Sequence, residues 1–434
     1  QRQGQGRSLA LTRQNRAPIL SFMKRFVPAA LHQSEFRRFI AGYSLSLIGS
    51  AMVPVAMSFT LYEQGRGVSA VSQILAAEMV PVVVLTLFGG VAADRFPRRR
   101  VMAAANLLCL CSQALLALLL ITHHDPLWGL MGLMACIGTG TAFFSPGLQG
   151  LIPEMVTSDQ LQSANALVGV AQSVGGIAGP ALGGLLVAVA GGGLAIALDS
   201  LSYGICAALL FSLSGGADKP AAGANPLHLL YEGWREFRSR TWLWSIVLQF
   251  SMLHLLVIAP VIILGSAGFA HAANGALGWG GLLSLFSLGT IIGAVLTMRL
   301  RPRYPARAAM LMVLGFAAMP GSLAAGLPYP VTGTLFVLSG ISIAGFSVLW
   351  STIMQTQIPE DRLSRVTAYD TVGSVCLLPV GYVLAAPMQA AFTREGALWF
   401  ACFITIATTL GVLAIRDVWN LPAAQPRSSR QASP

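Results

Sequence analysis

The segment from Gly90 to Arg100 reads GVAADRFPRRR and places a carboxylate beside a cluster of arginines. On either side lies an apolar stretch, at residues 70–92 and 101–121, that contains no lysine or arginine. A helix needs roughly 20 apolar residues to cross the hydrocarbon core of a bilayer, and both stretches reach that length. We therefore predict that residues 93–100 form a short polar loop between two membrane-spanning helices.

The composition extends this prediction to the whole chain. Its 434 residues are 55% hydrophobic and only 10% charged, whereas an average soluble domain carries about 25% charged residues. So few charges exclude a soluble enzyme, a soluble nucleic-acid binder and a disordered scaffold. The apolar runs between charged or Pro/Gly breaks number twelve. The chain is thus predicted to be an all-α polytopic membrane protein with twelve transmembrane helices in two pseudosymmetric halves of six.

The predicted organisation divides the chain at a polar middle segment. The parts are a cytoplasmic N-terminal tail at 1–35, a six-helix half at 36–213, a cytoplasmic linker with an amphipathic helix at 214–242, a second six-helix half at 243–416 and a cytoplasmic C-terminal tail at 417–434. The linker helix is expected to lie on the lipid interface as a connector, with a regulatory role as the alternative. Met23 is a candidate later start site.

The basic residues predict the orientation. With both termini in the cytoplasm, 25 of the 27 basic residues fall in cytoplasmic segments, and only Arg66 and Arg394 lie outside. This asymmetry is what the positive-inside rule requires. It also accounts for the net charge of +11 through anionic lipid headgroups, so no nucleic-acid partner is expected. We predict a monomer in the bacterial inner membrane.

Several chemistries are not expected. The linker is too short for a catalytic domain, so we predict that the protein is not an enzyme. The chain has no phosphate-binding Gly-x4-Gly-Lys-Ser/Thr motif, which excludes ATP hydrolysis as the driving force. The six cysteines lie within apolar runs, and no Cys/His cluster has metal-ligand spacing. No metal and no cofactor are therefore predicted.

An internal repeat supports the two-half organisation. Ile152-Pro153-Glu154 follows the fourth predicted span, and Ile358-Pro359-Glu360 follows the tenth. Equivalent positions in two six-span halves indicate duplication and a pseudo-two-fold axis, which places a substrate cavity between the halves near the midplane.

The 90–100 segment resembles the signature loop of the major facilitator superfamily, which runs Gly, three residues, Asp-Arg and a basic cluster. That resemblance implies a latch between the two halves, with Gly90, Asp94, Arg95 and Arg99 as conformational residues. Apart from this resemblance, Gly90 at a helix end is expected to permit close approach of another helix. Pro97 stands where many relatives have glycine, a departure found in exporters of drugs and siderophores.

The fifth predicted span carries a run of small residues with one proline. Its residues are Gly175, Gly179, Pro180, Gly183 and Gly184. Small residues at this spacing allow close helix packing, and the proline bends the helix, whatever the function. The run also resembles the antiporter motif of the superfamily, which implies export. Further matches, such as Asp199-Ser200-Leu201-Ser202-Tyr203, resemble the branch of enterobactin (siderophore) exporters and multidrug efflux proteins.

Ionisable residues within the predicted spans are the candidates for coupling to protons. An ionised group in hydrocarbon costs several kcal/mol unless it faces protein or water. Glu78 and Asp199 are candidates for proton exchange or for binding a cationic substrate group, and a structural carboxylate is the alternative at both. His254 is a candidate proton relay, or a hydrogen-bonded core histidine. Asp370 is expected to act in the latch by pairing with Arg362, Arg365 or the 90–100 loop, with proton transfer as the alternative.

Polar and aromatic residues on spans that line the cavity in the family are candidates for contact with substrate. They are Tyr43, Ser46, Ser50, Gln73, Gln172, Gln249, Trp279 and Tyr382. Each of them could instead be a packing residue.

The sequence therefore predicts a secondary exporter, working by alternating access, in which proton influx drives a small amphiphilic compound outward. A siderophore and a hydrophobic drug both suit this prediction. The alternatives are an importer of a small metabolite on the same fold and a non-transporting membrane sensor. The predicted partners are the small-molecule substrate, protons and membrane lipid.

Overall fold

The computed structural model describes residues 29–213 and 234–423. The predicted tails up to residue 28 and from residue 424, most of the linker and the candidate start site Met23 lie outside these residues. The side chain of Asp94 also lies outside what is described.

Long helices account for nearly all of the described chain. In the first half they are α1 (Ser34–Glu63), α2 (Gly67–Arg95), α3 (Arg98–Ile121), α4 (Leu127–Met155), α5 (Leu161–Ala190) and α6 (Gly192–Phe211). In the second half they are α7 (Thr241–Phe269), α8 (Gly275–Thr297), α9 (Pro305–Ala324) and α10 (Tyr329–Gln357), followed by helical segments at Glu360–Val375 and Leu378–Leu413.

The last two segments contain two membrane crossings. Apolar helix runs from Arg365 to Leu413, 49 residues, or about 74 Å at 1.5 Å per residue, more than twice the hydrocarbon thickness. Thr393 breaks it with φ 60° and ψ 170°. Arg394 contacts Gly268 at the end of α7, whereas Thr409 bonds Gln249 near the start of α7. The chain thus reverses at Thr393, which separates α11 (residues 360–392) from α12 (residues 394–413) and confirms the twelve-helix fold.

The two halves repeat the same packing. In the first half α1 packs on α5, α2 on α4 and α3 on α6; in the second half α7 packs on α11, α8 on α10 and α9 on α12. The sequence repeat fits this symmetry, because Ile152 and Ile358 are both 4% exposed. The local backbone differs, since Pro153 lies within α4 while Pro359 is the N-cap of α11.

The molecule has two ends that differ in charge. We call the end that carries Arg98, Arg301 and Arg362 the arginine-rich face, and the end that carries Arg66 and Arg394 the opposite face. The halves contact each other mainly through two helix pairs, α5 with α8 and α2 with α11, and to a smaller extent through α7 with α1 and α2. The two main pairs exchange under the pseudo-two-fold symmetry.

The small residues of α5 serve two different contacts. Gly175, Gly179 and Gly183, at four-residue spacing, lie against α1, and a Cβ at Gly183 would meet Met52. One residue further along each turn, Pro180 and Gly184 lie against α8 of the other half. A rotation of about 100° per residue separates the two faces. The motif predicted for packing therefore joins α5 both to its own half and to the second half.

The α5–α8 contact belongs to the opposite face. Ser284 donates a hydrogen bond to the Ile177 carbonyl at 2.6 Å, and Gly184 lies against Ala276 at the start of α8. Toward the arginine-rich face the same helix sides are uncovered, since Val170 is 58% exposed and Val295 57% exposed. The halves meet at the opposite face and separate toward the arginine-rich face.

We expect Gly184→Val to weaken the contact between the halves. The added side chain would collide with the Ala276 carbonyl, and overpacking of this kind costs about 1–3 kcal/mol. A lower melting temperature of the purified protein in detergent would report it.

Gly169→Val on the same helix is the matched control, because nothing lies within 4 Å of a Cβ at Gly169. Equal melting temperatures for the two variants would contradict the assignment of Gly184 to the interface.

Candidate functional site

A hydrogen-bonded contact closes the opposite face between the first helices of the two halves. The Tyr62 hydroxyl at the end of α1 lies 3.3 Å from the Ile263 carbonyl oxygen and 3.1 Å from the Ser266 hydroxyl, both in α7. Tyr62 is buried. The sequence analysis missed this residue, since a tyrosine near a span end is equally typical of an interfacial anchor.

Glu78 lies at the contact between the halves. It is on α2, eleven residues after Gly67, about 16 Å along the helix axis, and is partly exposed. Its backbone lies against Gly138 of α4, and its helix packs on α11 of the other half. Among the described residues the Glu78 carboxylate has no hydrogen-bond or ion-pair partner. Glu78 is thus an unpartnered carboxylate on a helix that contacts the other half.

Asp199 occupies a different environment inside the first half. It is 0% exposed, accepts a hydrogen bond from Gln113 Nε2 at 2.8 Å and one from Ser202 Oγ at 3.0 Å, and packs against Gly49. Its hydrogen-bond donors are neutral, and they come from α3 and from its own helix. This environment favours the structural alternative for Asp199.

His254 begins a π-helical turn in the middle of α7. The turn spans His254–Ile258, and a π turn inside an α-helix is frequent at functional sites. The His254 ring bonds the Phe250 carbonyl at 2.8 Å and also bonds the backbone of Ser374 in α11. The His254 and Leu255 carbonyls lie against Gly381. The widened turn therefore positions the residue after Gly381, which is Tyr382.

Asp370 is held by partners in its own half. The Trp350 indole donates a hydrogen bond to it at 3.0 Å, and the Ser374 side chain bonds it as well. Of the predicted partners, Arg362 instead forms an ion pair with Glu236 of the linker at 2.7 Å. The expected Asp370–Arg362 pair is corrected accordingly, because the linker carboxylate holds that arginine.

In the described residues, the 90–100 segment forms its contacts with other parts of the first half. Arg99 donates to the Leu213 carbonyl at 2.7 Å, Arg98 donates to the Gly150 carbonyl at 2.7 Å, and Arg95 is exposed. The expected close approach at Gly90 is wrong: nothing lies within 4 Å of a Cβ there, whereas Gly89 lies against Ala142 of α4. One residue turns the helix by about 100°, which moves the packing face from one glycine to the other.

Two of the predicted cavity residues meet on the first half. The Tyr43 hydroxyl lies near the Gln172 side chain, between α1 and α5, and its ring stacks on Phe144 of α4 with centroids 6.0 Å apart. Gln172 is exposed. Ser46 is buried beside them on α1. Tyr43, Phe144 and Gln172 thus form a cluster with one aromatic side and one accessible amide.

Three other predicted cavity residues make their contacts within one half. Gln249 is 3% exposed and bonds Thr409 of α12 at 2.8 Å, and Trp279 packs against Gly265 and Phe336 in the second half. These two are corrected to internal residues, because helix rotation turns them toward neighbours in their own half. Ser50 is half-buried and bonds Tyr203 of the first half at 2.9 Å.

The remaining two cavity candidates lie on the pair α2 and α11. Gln73 bonds Ser69 one turn earlier on α2 at 3.2 Å, and Tyr382 is 8% exposed on α11, next to Gly381, which lies against α7. Among the described residues no group of three or more metal-ligating side chains occurs.

The described end of the linker docks on the second half at the arginine-rich face. Residues 234–238 are helical. Trp234 and Phe237 both contact the Tyr369 ring of α11, with centroids 5.6 and 6.0 Å apart. The linker was expected to lie on lipid, but this part of it packs on protein.

Glu236 is the centre of this docking. It pairs with Arg240 and Arg362, each at 2.7 Å, and Arg240 also donates to the Gln357 carbonyl at 2.8 Å. Burial acts to raise the pKa of Glu236, but hydrogen bonds from the two arginines outweigh it and hold this pKa below its usual value. One carboxylate therefore joins the linker to the starts of α7 and α11.

Two similar bundles that meet at one face and separate at the other form the architecture of a membrane transporter. The profile of the Major Facilitator Superfamily matches residues 39–377, and the chain belongs to that family.

Named relatives and a solved structure agree with this assignment. The chain is 28% identical over 410 residues to the enterobactin exporter EntS of Shigella boydii serotype 18, with 92% of each chain covered. It is 25% identical to macrolide efflux protein A of Streptococcus pyogenes, over 81% of this chain and 88% of the relative. The crystal structure of nucleoside transporter NupG superposes with a TM-score of 0.71 at 10% identity, over 88% of this chain and 98% of that one. The last likeness concerns the fold alone.

We expect Tyr62→Phe to open the opposite face more often. The variant loses the hydrogen bonds to Ile263 and Ser266, and a hydrogen bond contributes about 0.5–1.5 kcal/mol, so the open population should rise about fivefold. Spin labels at Glu63 and His271, with the native cysteines replaced, would measure the distance distribution across this face.

Tyr329→Phe is the matched control. Tyr329 bonds the Gly278 carbonyl at 3.0 Å within the second half, so its loss should leave the distribution unchanged. The same shift in both variants would exclude Tyr62 as a specific closing contact.

Linker docking should depend on pH through Glu236. A carboxylate whose pKa is lowered in the folded protein contributes its stabilisation above its unfolded pKa, near 4.3 for Glu, and loses it as the pH falls through the folded value. A spin label at Arg238 should therefore be immobile at pH 7 and become mobile below about pH 4.

Glu236→Gln should make the same label mobile already at pH 7. Glu154→Gln, which removes a carboxylate paired with Arg98 at the same face, should not. A label that stays immobile in Glu236→Gln would show that the aromatic contacts alone hold the linker.

Proposed function

We propose that this protein is a secondary active exporter that moves a small amphiphilic compound out across the inner membrane in exchange for protons. The observation that carries the proposal is Glu78, a carboxylate on a membrane-spanning helix for which the described residues supply no hydrogen-bond or ion-pair partner. The names of the relatives, an enterobactin exporter and a macrolide efflux protein, support export.

The orientation follows from charge. The arginine-rich face is the cytoplasmic face by the positive-inside rule, and both termini then lie in the cytoplasm. The structure, closed at the opposite face and separating at the arginine-rich one, is then inward-facing. In this state substrate enters from the cytoplasm, as an exporter requires.

Glu78 supplies a physical basis for coupling. A charged carboxylate enclosed without a partner in a low-dielectric region costs several kcal/mol. Closing the halves around an ionised Glu78 is therefore unfavourable, and protonation or a cationic substrate group removes that cost. The proton and the substrate then compete for one site. Glu78 therefore releases its proton to the cytoplasm before the substrate binds, which gives exchange. Asp199, which interacts with Glu78, would raise the cost of ionising both together.

The substrate contacts that we propose come from both halves. On the first half the Tyr43–Phe144 pair offers an aromatic surface and Gln172 an accessible amide; on the second half the candidate is Tyr382 of α11, the helix that packs on α2. Aromatic rings with few polar groups suit an amphiphilic compound. A latch role for Gly90, Asp94, Arg95, Arg99 and Asp370 remains part of the proposal.

The test is proton-driven uptake into everted membrane vesicles, whose lumen corresponds to the cell exterior. With an acidic lumen, we expect labelled macrolide or iron chelator to accumulate in vesicles that contain the wild-type protein. Glu78→Gln should abolish this accumulation, because a glutamine cannot release a proton, while exchange of labelled for unlabelled substrate persists.

Glu63→Gln is the control for expression and for general loss of a carboxylate, since Glu63 lies exposed at the end of α1. Unchanged proton-driven accumulation in Glu78→Gln would end the coupling role. Movement of label out of the everted vesicles would instead favour the importer, and no movement with any compound would favour the sensor.

A further inference from the structure

A groove lies between α9 and α12 at the arginine-rich face, away from the contact between the halves. Its volume is about 720 Å³. Leu311 of α9 and Leu410 and Leu413 of α12 line one part, and Arg416, Trp419 and Asn420 line the other. The groove therefore has an apolar wall and a polar, basic rim.

Aromatic rings, rather than carboxylates, hold two arginines in place next to the groove. The Arg307 guanidinium lies 4.8 Å from the centroid of the Tyr304 ring and 4.9 Å from that of the Trp419 ring, and Arg303 also contacts Tyr304. A cation–π contact orients the guanidinium but leaves its positive charge uncompensated by an anion. Among the described residues, Arg307 and Arg416 form no ion pair with a carboxylate.

The segment that carries the rim is fixed to the second half. Val418, in the short helix Arg416–Trp419, is 0% exposed. The Ala423 amide donates to the Arg303 carbonyl at 2.9 Å, and Gln357 Nε2 donates to the Pro422 carbonyl at 2.9 Å. The rim is thus a built surface, and its basic side chains stand at the end of α12.

The position of the groove selects its occupant. Leu311 is 48% and Leu410 52% exposed, on a side of α9 and α12 that continues into the membrane. Trp419 and Tyr304 are of the type that sits at headgroup level. An occupant must therefore combine an apolar chain at hydrocarbon depth with a negative charge at headgroup depth. A free phosphate would leave the leucine wall uncovered.

We propose that this groove binds one anionic phospholipid, with its acyl chain along Leu311 and Leu410 and its phosphate between Arg307 and Arg416. Basic sites between transmembrane helices recognise anionic headgroups in this way. The bound lipid joins α9 to the segment after α12. It therefore stabilises the second half at the arginine-rich face, on the side that faces away from the first half. The site is independent of the exporter proposal.

Quenching of tryptophan fluorescence by brominated lipid tests the proposal. In liposomes, brominated phosphatidylglycerol should quench the wild-type protein more than brominated phosphatidylcholine does, and Trp419→Phe should lose this difference. Lipid-facing tryptophans elsewhere, such as Trp128 at 79% exposure, should respond to both lipids alike.

Arg307 and Arg416 should account for the preference for phosphatidylglycerol over phosphatidylcholine. Arg307→Gln and Arg416→Gln should each lower the relative affinity for phosphatidylglycerol about fivefold, from roughly 1 kcal/mol per basic residue near the surface. Arg100→Gln, exposed on the same face in the first half, should not. Equal quenching of the wild type by both lipids, or an unchanged preference in the Arg307→Gln/Arg416→Gln double variant, would overturn the proposal.

Discussion

The contact of α5 with α8, backbone against backbone, is the interaction on which the arrangement of the two halves depends. Pro180 and Gly184 on one helix and Gly280 on the other allow this approach because a Cβ at either glycine would strike a carbonyl. In a bilayer, lipid is as apolar as leucine, so helices associate through close packing and hydrogen bonds. Each half alone offers packing partners for its own helices; these small residues, together with the Tyr62 contact to α7, bring the halves together at the opposite face.

The few charged residues divide into two groups with different physics. Most arginines lie at the arginine-rich face, where they meet water, headgroups, helix ends such as Leu213, or the linker carboxylate Glu236. Glu78 and Asp199 lie inside the membrane. Asp199 has hydrogen-bond donors around it and Glu78 has none among the described residues. The two carboxylates therefore differ in their hydrogen-bond partners, and their positions along the predicted spans did not reveal this difference.

Individual residues show which features the sequence predicted and which it did not. The twelve helices followed from apolar length, and Gly175, Gly179, Pro180, Gly183 and Gly184 all proved to be packing residues. Gly90 and Gly89 were indistinguishable by pattern, yet only Gly89 contacts α4. Gln249 and Gln172 are both glutamines in apolar spans, but one is enclosed by α12 and the other is exposed. Such pairs differ by helix rotation, which a sequence without clear amphipathicity does not encode.

The sequence by itself determined the number of helices, their membrane setting and the charge asymmetry of the two faces. Those features are local: hydrocarbon forces every backbone polar group into a helix wherever some 20 apolar residues occur, and arginines stay at the surface where they fall. Only the tertiary structure decided which polar groups have partners, where the halves meet and which end separates. Those features depend on contacts between residues far apart in the chain, such as Tyr62 with Ser266 and Gly184 with Ala276, whose formation requires the complete packing of both halves.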